Sequence, residues 1–162
     1  MSVGPRVVFL RFLSVESPKL QPWRAHFARV VGWDPELVAR AGAAEEGVVT
    51  WHLVSANNRP LGRSGATFLA HADAVTSAQD AVDSHNRLVF ELVADENSGM
   101  YGWFARVDAG VVLICPHWYV TERDRRKSMT LAADSLAVAA LGAGARAMNP
   151  ALMSSRLDVA RL

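Results

Sequence analysis

The sequence predicts an α+β fold in which a strand, a hairpin and a helix are used twice in tandem over an antiparallel sheet. A strand and a helix precede the two units, and a further helix follows them. Three observations lead there. Gly47-Val48-Val49-Thr50-Trp51 and Gly99-Met100-Tyr101-Gly102-Trp103 each set a glycine four residues ahead of a tryptophan. Both tryptophan stretches have the two-residue period of a strand. Val49, Trp51 and Leu53 share a face in the first, and Tyr101, Trp103, Ala105 and Val107 share one in the second. Turn residues, a second apolar run and a stretch of helical periodicity then follow each in the same order.

Arg6 to Leu13 is rich in Val, Phe and Leu and reads as a strand, with Pro18 marking the connector after it. Trp23, Phe27, Val30 and Val31 fall at i, i+4, i+7 and i+8, a helix with Pro22 in its first turn and Gly32 as its stop. This segment, residues 1–36, is expected outside the repeat and packed upon it.

The first unit, residues 37–87, opens on a short strand from Leu37 to Arg40 and continues with Val48 to Ser55. It turns at Asn57-Asn58-Arg59-Pro60, where asparagine tolerates positive φ, and returns over Leu61 to Leu69. Asp73 is placed to cap a helix whose face is Ala74, Val75, Ala78, Ala81 and Val82. The second unit, residues 88–142, runs from a strand at Leu88 to Val93, through the turn Asp95 to Gly99, to the Trp103 strand. Asp108-Ala109-Gly110 turns the chain into Val111 to Ile114. Thr121 with Asp124 reads as a helix start, Met129, Ala132, Ala133, Leu136 and Ala140 as its buried stripe, and Gly142 and Gly144 as its stop. In residues 143–162, Asn149-Pro150 begins a terminal helix that runs on from Ala151.

Composition narrows the function. At 162 residues, 51% apolar and 20% charged, the chain can bury a useful core and is not of disordered type. A net charge of +1 supplies no global field for nucleic acid. Cys115 is the only cysteine, which excludes an intrachain disulfide and fits a reducing compartment. Val7-Val8-Phe9-Leu10 is cut by Arg11 and is too short for a signal-peptide core or a membrane span, so a cytoplasmic location is expected.

Phe90-Glu91-Leu92-Val93-Ala94-Asp95, then Gly99, Tyr101, Trp103-Phe104, Ala109 to Leu113, and Tyr119 before a capped helix together resemble the YegP-like family. Its members are small bacterial and archaeal proteins of one or two hairpin-and-helix units. The first unit resembles the family through Gly47, Trp51, Leu53, Asn58, Leu61, Ser64 and Phe68, and the resemblance spans residues 37–140. The family's hairpin turns on Asn-Gly where this chain has Asn58-Arg59 and Ala109-Gly110, and Cys115 stands where the family places serine. The resemblance implies a fold and brings no catalytic residue with it.

Candidate chemistry is sparse. Trp51 and Trp103 are either core anchors or the walls of a pocket, and their repeated strand positions favour anchors. Cys115 and His117 are near enough in sequence for a thiolate–imidazole pair, though Pro116 makes the path between them irregular. A buried, unreactive thiol is the simpler account. Arg123, Arg125, Arg126 and Lys127 form a basic cluster suited to phosphates, or else the solvated first turns of a helix in which Glu122 and Arg126 pair. The histidines lack ligand spacing and no phosphate-binding glycine loop follows a strand, so no metal or cofactor is expected. The expectation is a non-enzymatic binding or assembly module working through a protein partner or a second copy, with no membrane involved. A nucleic-acid or phosphate binder using residues 123–127 is the first alternative. A small-molecule binder or enzyme with a cleft between the units is the second.

Overall fold

Val48–Val54, here β3, has Val49, Trp51 and Leu53 fully buried, and the sheet is built outward from it. The computed structural model describes residues 4–38 and 47–148. On one side β3 pairs antiparallel with β1 (Arg6–Phe12) along its whole length, Phe9 opposite Trp51. On the other it pairs with β4 (Pro60–Ser64) and, past Gly65, with β5 (Ala66–Phe68). β4 then meets β8 (Gly110–Ile114), which pairs with β7 (Tyr101–Val107), which pairs with β6 (Val89–Ala94), all antiparallel. Helix α1 (Gln21–Val31) follows β1, α2 (His71–Asp83) follows β5, and α3 (Glu122–Ala137) follows β8. The class is α+β, with a mostly antiparallel sheet.

The tryptophans fix which face the helices cover. Trp51 donates its indole N–H to Ser77 Oγ on α2 at 3.1 Å, and Trp103 donates to Ser128 Oγ on α3 at 2.9 Å. Both rings are fully buried with their polar atom satisfied, which removes the cost of burying it. Alternation along β7 puts Gly102 and Phe104 on the opposite face. A Cβ on Gly102 would meet the Trp118 ring at 2.8 Å and Cys115 Sγ at 3.3 Å, and His26 of α1 touches both of those residues. So α1 lies against β7 on the face away from α2 and α3, buried through Trp23, Phe27, Val30 and Val31.

Local signals hold where the structure depends on them. Gly32 sits at φ 100° and bonds its N–H to Ala28 O, ending α1. Asn58 turns its hairpin at φ 67°. Thr121 caps α3 by accepting from Asp124 N at 3.1 Å.

Five expectations change. The strand opening the first unit is Glu36–Val38 (β2), and it pairs in parallel with β5, not with β3. β1, expected outside the units, occupies the place beside β3 instead. The run Leu61 to Leu69 is broken at Gly65, whose missing Cβ would lie 2.2 Å from Val111 O of β8. Helix α2 starts at His71 with Ala70 as its cap residue, so Asp73 sits in its first turn, where a carboxylate still suits the helix dipole. And α3 stops at Ala137, because Ala140–Leu141 (β9) and Arg146–Ala147 (β10) both join β1 in parallel. Arg40 and the expected terminal helix from Ala151 lie outside the described residues.

Candidate functional site

Trp51, Trp103 and Cys115 all have no exposure and belong to one core cluster. Around each tryptophan the same bond recurs: Trp51 N–H donates to Ser64 Oγ at 3.3 Å, and Trp103 N–H donates to Cys115 Sγ at 3.4 Å. Cys115 therefore does for the second strand pair what Ser64 does for the first.

The histidine beside Cys115 is His26, not His117. His117 is exposed, donates through Nδ1 to the Trp118 carbonyl at 2.9 Å and lies tilted against Tyr119 with ring centroids 4.4 Å apart. His26 Nε2 donates to the Cys115 carbonyl at 2.9 Å and lies 3.8 Å from Sγ. Burial holds the His26 pKa down at about 4 and pushes the Cys115 thiol up to about 11. Both groups are thus neutral at pH 7. The ring nitrogen nearest the sulfur already carries a proton, so it has no lone pair with which to take the thiol's.

The basic cluster is divided by the helix. Arg125 is buried: its guanidinium lies over the Tyr101 ring at 5.1 Å, donates to the Val93 carbonyl at 3.1 Å and reaches Glu122 at 3.7 Å. Arg123, Arg126 and Lys127 stay exposed on the outer side of α3.

A different group gathers at the other end of the sheet. On the face away from α2 and α3, one cross-strand row reads Val8, His52, Arg63, Ile114, Phe104 and Glu91 from β1 to β6. Its second half, beside α1, carries Ile114 and Phe104. Its first half carries His52 and Arg63, and there a cleft of about 520 Å³ opens between β1, β3, the Asn58 turn and the Gly142 to Gly144 loop. Burial, with Arg63 adding to it, lowers the His52 pKa to about 3, so its ring stays neutral with one donor and one acceptor. These residues come from four separated stretches, and no local motif marks them.

The two edges of the sheet also differ. β9 and β10 cover the outer side of β1, whereas no strand among the described residues pairs with the outer side of β6. Val89 and Leu92 of β6 are 43% and 56% exposed. No helix among the described residues is long and apolar enough to cross a membrane.

No family model matches the chain, and no curated protein matches it. Among solved structures, the chain is similar to the solution structure of YegP from E. coli, a protein of unknown function. The match covers 72% of this chain and 93% of that one, at 10% identity and a TM-score of 0.47.

Proposed function

We propose that the chain is a non-enzymatic assembly module made of two related strand-hairpin-helix units, which joins a second copy of itself through the bare edge of β6. The carrying observation is the outer side of β6, with which no strand among the described residues pairs, six residues without proline and with Val89 and Leu92 exposed. Every second residue of such an edge turns its N–H and C=O outward, a ready template for another strand. A twofold antiparallel pairing centred on Leu92 sets Leu92 opposite its own copy and Glu91 opposite Val93, so no like charges face each other.

The same mode of joining already occurs within the chain and supports the reading of two related units. β4 and β8 pair antiparallel with Arg63 opposite Ile114, and these two residues hold corresponding places, each one before the Ser64 or Cys115 that bonds a tryptophan. A local twofold passing between them relates Trp51 to Trp103 and Ser77 to Ser128. In this reading β1 supplies to the first unit the strand that β6 supplies to the second. Solution mass across a concentration series tests the proposal. The wild type is expected to self-associate and Leu92→Lys to remain monomeric, since an edge lysine opposes strand pairing. A wild type that stays monomeric throughout, or a Leu92→Lys protein that associates equally, overturns it.

A further inference from the structure

The cleft beside β1 has charge of one sign and an apolar floor. Arg6 stands at one side, its guanidinium held by the Ser55 carbonyl at 3.3 Å and by Asn58 Oδ1. Arg146 stands at the other, exposed on β10, and Val8, Leu10 and Val54 line the space between. Arg63, opposite His52 on β4, lies behind that ring and outside the cleft lining. Among the described residues no carboxylate pairs with any of these three arginines, and no Asp or Glu lines the cleft. Cations lining a cleft with no counter-charge leave a positive potential there, and a bound anion is drawn to it. Guanidinium groups match carboxylate and phosphate oxygens two at a time. A volume of about 520 Å³ is that of a small-molecule site.

We propose that this cleft binds a small amphipathic anion, its carboxylate or phosphate head between Arg6 and Arg146 and its apolar body over Val8, Leu10 and Val54. Asn58 holds the Arg6 fork in place, and the neutral His52 ring adds a hydrogen bond that needs no counter-charge. The Gly142 to Gly144 loop forms the rim. A Cβ on Gly142 would come within 3.0 Å of Val7 O, while Gly144, at φ 66°, has open space on its side-chain face.

Titrating the ¹⁵N-labelled chain with octanoate, octyl phosphate, octanol and inorganic phosphate, followed by NMR, tests this. Saturable shifts at the amides of His52, Gly142, Ala143 and Gly144 are expected with octanoate or octyl phosphate, and the tighter of the two identifies the head group. Octanol brings only the apolar contacts and inorganic phosphate only the ionic ones, so each is expected to bind about tenfold more weakly or worse. Arg146→Gln, on an exposed side chain, is expected to weaken the better ligand about tenfold while leaving the free protein's spectrum otherwise unchanged. Arg6→Gln provides the second variant. Absence of saturable shifts, octanol binding as tightly as octanoate, or affinity indifferent to both substitutions overturns the proposal. The β6 edge is untouched by these variants, so this result and the solution-mass result stand apart.

Discussion

The tryptophan-bearing halves are built alike toward α2 and α3 and unlike on the other face. Toward the two helices, Trp51 and Trp103 repeat each other down to the serine that receives the indole N–H. On the far face, His52 and Arg63 of the first half correspond to Phe104 and Ile114 of the second. The difference follows what lies above. Beside α1 the row carries Ile114 and Phe104, and where the cleft opens it carries His52. A shared core frame can thus carry two different working faces, because the period of two along a strand separates the residues that anchor it from those that meet ligand or solvent.

The largest expected effect tests the shared frame. Trp51→Ala and Trp103→Ala should each cost about 3–5 kcal/mol, read by urea denaturation of each variant, because each removes a fully buried indole and leaves a cavity. Similar losses would establish the two rings as equal anchors. A large gap between them would show that one half carries the fold.

Acid titration sharpens the difference between the faces. Free histidine titrates near pH 6.5, while folded His26 and His52 titrate at about 4 and about 3. Below about pH 6.5 the unfolded chain therefore binds protons that the folded chain refuses. The stability these groups contribute is complete above that pH and falls as pH drops toward 4 and then 3. Each contributes a slope of about 1.4 kcal/mol per pH unit within its window. His52→Phe, which copies Phe104 into the first half, should flatten the acid limb seen by circular dichroism, and an unchanged limb would assign it to other groups.

The smallest effect concerns the serine–cysteine pair. Ser64→Ala should cost about 1–3 kcal/mol in thermal or urea unfolding, since the Trp51 N–H is left buried without its acceptor. Cys115→Ser, which gives the second half the first half's bond, should cost less than about 1.5 kcal/mol. A larger cost for the cysteine change would mean that the thiol's packing against His26 outweighs its bond to Trp103.

What could be read in advance was whatever the chain encodes within a few residues. Gly32 ending α1, Thr121 capping α3, Asn58 turning its hairpin and the buried stripe of Val49, Trp51 and Leu53 each depend on neighbours in sequence. What could not be read depends on pairings across the chain. Nothing local in Arg6–Phe12 says that it will lie beside β3, or that β9 and β10 will reach it from residue 140 onward. Gly65 breaks a strand only because Val111 of β8 comes so near. Cys115 meets His26 across a separation of 89 residues, whereas His117, two residues away, turns outward. The cleft was hidden for the same reason. Its cations belong to β1 and β10, each unremarkable alone, and the glycines at 142 and 144 gain meaning only once the loop between β9 and β10 is placed beside Arg6.

The position of β1 also sets an order of events during synthesis. β1 leaves the ribosome ahead of every strand it pairs with and is enclosed only after residue 147, since Leu10 pairs with Arg146 and Arg6 with Ala140. For most of translation it can pair with β3 on one side only, and its other side is an open edge. The nascent chain thus carries at β1 an adhesive edge that β9 and β10 later cover. A ribosome that stalls before residue 140 would present a half-closed sheet to its neighbours, so crowding of such chains on one message is the moment at which this protein is most exposed to mispairing.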